Sequence, residues 1–256
     1  MNELAAMTTE DAARSFAAAR LALLPVGSCE QHGPHLTVDT DTAVAEAIAR
    51  RLADQLGDDA VLCPTIGYGL SEHHLGFAGT LTLRPPTYLA LIDDVLDSLA
   101  HHGLRRVLIV NGHGGNIDAL RLAARTARRD RGMLVASFMW ATLAADAAAE
   151  AASSPSYGHA CEVETSVVMA VAPDRVRPDR IGPAAARRSV DPLTDPPGAT
   201  VDEPVGLHEW SDNGALGEPR LATEAAGEQI VAVVMERALA FARRLTERPL
   251  PEEVSQ

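Results

Sequence analysis

Short apolar runs alternate along the chain with longer segments whose apolar positions recur every three or four residues. Leu21–Val26, Ala60-Val61-Leu62-Cys63-Pro64, Arg106–Val110 and Met133–Phe138 read as buried strands, because continuous short apolar runs are covered on both faces. Gly79-Thr80-Leu81-Thr82-Leu83 alternates with period two and predicts a half-exposed strand at an edge. Helices are predicted over 8–19, with Thr8 or Thr9 as N-cap, over 43–56 ahead of Gly57, and over 87–102 ahead of Gly103. Further helices are predicted after Asn116, with apolar Leu120, Leu122 and Ala123, over 141–152, and from about 224 to 246. From Pro173 to Pro204 the chain is rich in proline, arginine and aspartate and reads as an irregular surface excursion. Strands alternating with helices imply an α/β fold with a mostly parallel sheet covered on both faces.

A chain of 256 residues that is 46% hydrophobic, without linker, repeat or low-complexity tract, reads as one domain over 1–256. A formal charge of −13 argues against nucleic acid or an anionic membrane as partner. No apolar stretch is long enough to span a bilayer, and the first residues carry no secretory pattern. Cys29, Cys63 and Cys161 form no close pair, so a reducing cytoplasm is the expected location. There is no lysine, which excludes Schiff-base chemistry and a Walker-type phosphate loop.

Three clusters carry candidate chemistry. The first, Glu30, His32, Asp39 and Asp41, follows the strand at 21–26, where α/β sheets build their sites. Extended backbone over 30–32 points Glu30 and His32 to one side, and Asp41 can return to the same point. Asp39 reads as the innocent acid, and the alternative for the pair is a capping role ahead of the following helix. The second is Asn111-Gly112-His113-Gly114-Gly115-Asn116, whose glycines let the backbone approach a ligand and leave His113 free to face a metal. The third is His159 with Glu162 and Glu164, ahead of an apolar helix whose start acids also favour. Carboxylates and imidazoles together suit a divalent cation. Thiolate ligation by Cys29 or Cys161 is the lesser alternative, since buried cysteines are usually inert packing.

Together, Glu-Gln-His-Gly-Pro-His with Asp41, Asn-Gly-His-Gly-Gly-Asn and His-Ala-x-x-x-Glu-Thr-Ser resemble the creatininase (creatinine amidohydrolase) family over about residues 20–171. The tail segment at 214–219 resembles it too. The resemblance implies a three-layer αβα fold, often hexameric, and two divalent metal ions per subunit, zinc with manganese or iron. It implies Glu30 and His113 on one metal, His32 on the other, Asp41 bridging, and His159 as the active-site histidine. Ser71, His74 and Gly114 fall where the substrate is bound. Creatininase itself has a metal-binding glutamate where this chain has Gly115. Glu164 is the expected replacement, with Glu162 or water as alternatives; at about 100° per residue a helix would turn Glu162, not Glu164, toward His159. Cys161 stands where the family usually has glycine, and no tryptophan closely precedes His159, which disfavours creatinine as substrate.

The implied activity is metal-dependent hydrolysis of a C–N amide-type bond, by hydroxide activated between two metals, in a small molecule or short peptide. His159 would stabilise the oxyanion or protonate the leaving nitrogen. Within the family, a peptidase trimming a redox-cofactor (mycofactocin) precursor is the alternative; outside catalysis, a protein that binds metal without turnover.

Overall fold

The computed structural model describes residues 2–154, 157–187, 201 and 203–251. Four strands, β1 (Leu21–Val26), β2 (Ala60–Leu62), β3 (Arg106–Asn111) and β4 (Leu134–Met139), form one parallel sheet in the order β2-β1-β3-β4. Alternation along β1 and β3 divides their side chains between two cores. Leu21, Leu23, Leu108 and Val110 face one side, and Ala22, Leu24, Val107 and Ile109 the other. The first core is covered by α2 (Thr40–Leu56), α6 (Ala145–Ala151), α7 (Glu162–Val171) and α9 (Glu224–Glu247). The second is covered by α3 (Pro85–His101) and α4 (Ile117–Arg131), with Phe16 of α1 (Thr9–Ala18) at its border. This is the three-layer αβα arrangement expected from the sequence.

Strand order fixes where a ligand can enter. β1 runs into α2 on one face, while its neighbour β3 runs into α4 on the other. The two chains therefore diverge between the carboxyl ends of β1 and β3, leaving the crevice at which open α/β sheets bind ligands.

Three local expectations are corrected. Residues 79–83 are not a strand; only Leu81 bridges another segment, at Cys29. Their period-two threonines latch loops instead: Thr82 Oγ1 accepts from Ser71 N at 2.8 Å, and Thr80 Oγ1 donates to the His74 carbonyl at 3.1 Å. The helix expected over 141–152 is two pieces, α5 (Trp140–Leu143) and α6, broken at Ala144. α2 starts at Thr40, before the expected 43, so Asp41 lies in its first turn. Asp39 occupies the N-cap position without capping; its carboxylate takes Thr37 Oγ1 and, at 2.9 Å, Arg175 Nε. In the 173–204 excursion, tight turns at Pro173–Arg175 and Pro178–Arg180 are the regular features, and residues 188–200 and 202 lie outside the described residues.

Candidate metal centre

The loop leaving β1 delivers Glu30, Gln31 and His32, the first turn of α2 delivers Asp41, and the loop leaving β3 delivers His113. Close backbone approach is built in at Gly112, where a Cβ would sit 2.1 Å from the Asp41 carbonyl oxygen. Asn116 ties the crevice together, accepting from Leu70 N at 3.0 Å and donating to the Gly27 carbonyl at 3.0 Å. α7 supplies Glu164, and the segment before it supplies His159.

Among the described residues three ligand groups result: Glu30–Asp41–His113 and His32–Asp41–Glu164, both fully buried and sharing Asp41, and Glu30–His32–His159, in which His159 is half-buried. His113 Nδ1 is 3.1 Å from Glu30 Oε2 and 3.1 Å from Asp41 Oδ2. His32 Nε2 is 3.1 Å from Asp41 Oδ1 and 3.7 Å from Glu164 Oε1. Ligands of a tetrahedral zinc ion stand about 3.3 Å apart, close to these separations.

The outer hydrogen bonds decide which imidazole nitrogen is offered. His113 Nε2–H donates to the Leu70 carbonyl at 2.8 Å, so neutral His113 turns a lone pair from Nδ1 toward the two carboxylates. His32 Nδ1–H donates to the Glu30 carbonyl at 3.2 Å, which leaves Nε2 facing Asp41. Asp41 Oδ2 is buried without a hydrogen bond. Buried acceptors converging on acceptors repel unless a cation or proton lies between them, so these residues fit a pair of divalent cations.

Without cations, protons take that role. Burial disfavours ionised Glu30, Asp41 and Glu164, but the neighbouring imidazoles outweigh it and hold each carboxyl at about 2. Burial likewise disfavours the imidazolium forms of His32 and His113. The adjacent carboxylates win, Asp41 and Glu164 for His32 and Glu30 with Asp41 for His113, and drive both well above the usual range. His159 moves the other way, lowered by burial and by His32.

Glu164, not Glu162, enters the ligand groups. Its second oxygen accepts from Ala160 N at 2.6 Å, and Ala160 is the sole non-glycine residue with positive φ (48°) among those described. Glu162 turns away and ties down loops, accepting from Ser154 N at 2.9 Å and Glu218 N at 2.8 Å. At Gly115 a Cβ would lie 2.2 Å from the Leu70 carbonyl oxygen and 2.5 Å from His113 Nε2, the two atoms of the hydrogen bond that orients His113. A longer side chain there would break that bond. A Cβ at Gly114 meets nothing within 4 Å, so of the two glycines only Gly114 has free space around it.

A cavity of about 190 Å³ opens onto the cluster, with His74, Gly114 and His159 on its wall. Ser71 is off that wall: fully buried behind Glu30, it donates from Oγ to Glu30 Oε2 at 2.6 Å. Cys29 and Cys161 join no ligand group; Cys29 donates weakly to the Gly79 carbonyl. Several contributors carried no signal in the sequence. His73 stacks on His113 with ring centroids 5.6 Å apart. Leu207 and Trp210 of α8 (Leu207–Trp210), with Leu216, form an apolar outer wall. Gln31 lies among His74, His159 and Gly214.

Known proteins resemble this chain in sequence and fold. A family model described as creatininase, creatinine amidohydrolase, matches residues 5–242. The mycofactocin precursor peptide peptidase of Mycolicibacterium smegmatis is 37% identical over 221 residues, 83% of this chain and 80% of that protein. The creatinine amidohydrolase of Pseudomonas putida is 30% identical over 234 residues, 84% of this chain and 85% of that protein. A solved structure described as creatininase with Mn superposes with a TM-score of 0.80 at 26% identity, covering 96% of this chain and 99% of that one. By sequence and by fold, the chain belongs to the creatininase family of metal-dependent amidohydrolases.

Proposed function

We propose that the protein hydrolyses a C–N amide-type bond in a small molecule or short peptide with two divalent cations, zinc paired with manganese or iron. The observation that carries this reading is Asp41, whose two oxygens face two separate ligand groups. Glu30 and His113 would hold one cation and His32 and Glu164 the other, with Asp41 within reach of both groups. When bound, the cations supply Lewis acidity and bring the pKa of water toward neutrality.

The remaining work falls to side chains. His159 Nε2–H is spent on the Gln31 carbonyl at 2.7 Å, so Nδ1, 3.9 Å from Glu30 Oε1, is the nitrogen left for the reacting group. Held there without a hydrogen, Nδ1 acts first as a base that accepts a proton from the water to be activated, and then carries that proton to the leaving nitrogen. His74 and Gly114 contact the substrate, while Ser71 steadies Glu30. Leu207, Trp210 and Leu216 exclude water from the outer side.

A peptide is favoured over creatinine because the peptidase relative is the more similar of the two, at 37% against 30% identity. Among the described residues no helix is long and apolar enough to cross a membrane, in keeping with a free small-molecule or peptide substrate. The resemblance to the family suggests a homo-oligomer, in which exposed apolar Val38, Leu75 and Leu81 are side chains a second copy would cover.

The test combines metal counting with hydrolysis of a panel holding a cyclic amide, a formamide and short peptides. The reading expects two cations per chain, with turnover lost on chelation and restored by zinc or manganese. Two tightly held cations with no turnover of any member would leave metal binding alone as the function.

A further inference from the structure

We infer that Gln31 is a positioning residue that sets the proton positions of both His74 and His159, a role that rests on the hydrolase reading of the site. Its amide orientation is fixed by partners that cannot change roles. Oε1 accepts from Gly33 N at 2.9 Å, and Nε2 donates to the Gly214 carbonyl at 3.3 Å. The other Nε2 hydrogen points at His74 Nδ1, 3.0 Å away. His74 must therefore accept there and carry its proton on Nε2, which lies 3.3 Å from Glu30 Oε1.

The main chain of the same residue governs the second imidazole. The Gln31 carbonyl, which can only accept, lies 2.7 Å from His159 Nε2 and requires a proton on that nitrogen. The amide nitrogen is also 3.0 Å from His159 Nε2, but both of its hydrogens are already committed. Gly33 has a positive φ (63°), and the bond from its N–H back to Gln31 Oε1 holds the turn that aims this carbonyl. One residue thereby turns His159 Nδ1 toward the cavity and leaves the protonated Nε2 of His74 facing Glu30. It also seats the outer wall, since at Gly214 (φ 81°) a Cβ would fall 1.9 Å from Gln31 Oε1.

Two variants of nearly the same size separate this role from simple packing. Gln31→Met removes the amide, and Gln31→Glu keeps its shape while removing the donor to His74. The proton position on each histidine of the zinc-loaded protein is read from side-chain ¹⁵N shifts, which need no turnover. The wild-type protein should show Nε2–H on both His74 and His159. In both variants His74 should move its proton to Nδ1 or become charged. Zinc affinity or kcat should fall about 10–100-fold, the size expected for loss of an outer-shell partner, with KM changing less. Unchanged His74 shifts, together with zinc affinity and kcat within about twofold of wild type, would overturn the inference. A wild-type enzyme that shows these proton positions but hydrolyses nothing would instead count against the hydrolase reading.

Discussion

Replacing Glu164 by glutamine removes one charge from the second ligand group while leaving the volume of the side chain unchanged. Glu164 Oε1 lies 3.7 Å from His32 Nε2, and both face the Asp41 carboxylate. The amide can still accept from Ala160 N, so the local fold keeps its anchor. What is lost is the anionic donor proposed for the His32 group. Changing a partner one shell out costs about 10–100-fold in metal affinity, so loss of a direct ligand should exceed about 100-fold at the His32 position. The Glu30–Asp41–His113 group should keep its cation.

The control is Glu162→Gln, three residues from His159 in sequence but outside all the ligand groups. Its carboxylate accepts from Ser154 N and Glu218 N, so this change should cost about 1–3 kcal/mol of stability and leave two cations bound. Metal content after dialysis against a weak chelator, with thermal unfolding alongside, reads both effects. One cation in Glu164→Gln and two in Glu162→Gln is the expected outcome. The reverse pattern, or two cations held at wild-type affinity in Glu164→Gln, would refute the assignment.

Other perturbations test neighbouring steps of the argument. Gly115→Ala should displace the Leu70 carbonyl from His113 Nε2 and weaken metal binding at the Glu30–Asp41–His113 group, measured by zinc titration. Ala160→Gly should raise thermal stability by up to about 1 kcal/mol, because relief of the left-handed Ala outweighs the added entropy of glycine. The raised pKa values of His32 and His113 fix a pH trend. Their stabilisation of the cation-free fold is complete below the ordinary imidazole range and is lost as pH rises through the raised values. Cations displace those protons, so the difference in melting temperature between metal-loaded and metal-free protein should widen from about pH 6 to about pH 9. A constant difference would show that no proton leaves on binding.

The sheet was legible because β1 and β3 are apolar on both faces. Glu30, His32, Asp41 and His113 were legible for the same reason: they sit just beyond strand ends that were already placed. The choice between Glu162 and Glu164 was not, because the helical spacing argument assumed that 159–164 form one helix. Ala160 is left-handed and Cys161 extended, so α7 begins only at Glu162 and a rotation of 100° per residue does not connect it to His159. The threonines at 80 and 82 misled for a related reason. Period two reports where side chains point, and here they point at loop carbonyls and amides, not across a sheet. Trp210 and Leu216 lie in a segment without periodicity, and chain topology alone brings it over the site.

Gln31 escaped notice through the very alternation that identified its neighbours. If Glu30 and His32 face the cations, residue 31 must face away, and a polar residue facing away reads as solvated. At a buried centre the far side is not solvent but the second layer of imidazoles, where the orientation of the first layer is decided. The same reasoning accounts for moving the carboxylate from the loop after β3 to the start of α7. With Leu70 bonded to His113, the 114–115 loop has no room for a side chain at 115. The charge needed at the second cation must then come from another element, and α7 can supply it only because Ala160 bends the chain sharply enough to aim Glu164 inward. Glycine at 115 thus guards the bond that orients His113, and the strained alanine at 160 aims the acid at 164, so a change at 115 should be felt at the His113 group and a change at 160 or 164 at the His32 group.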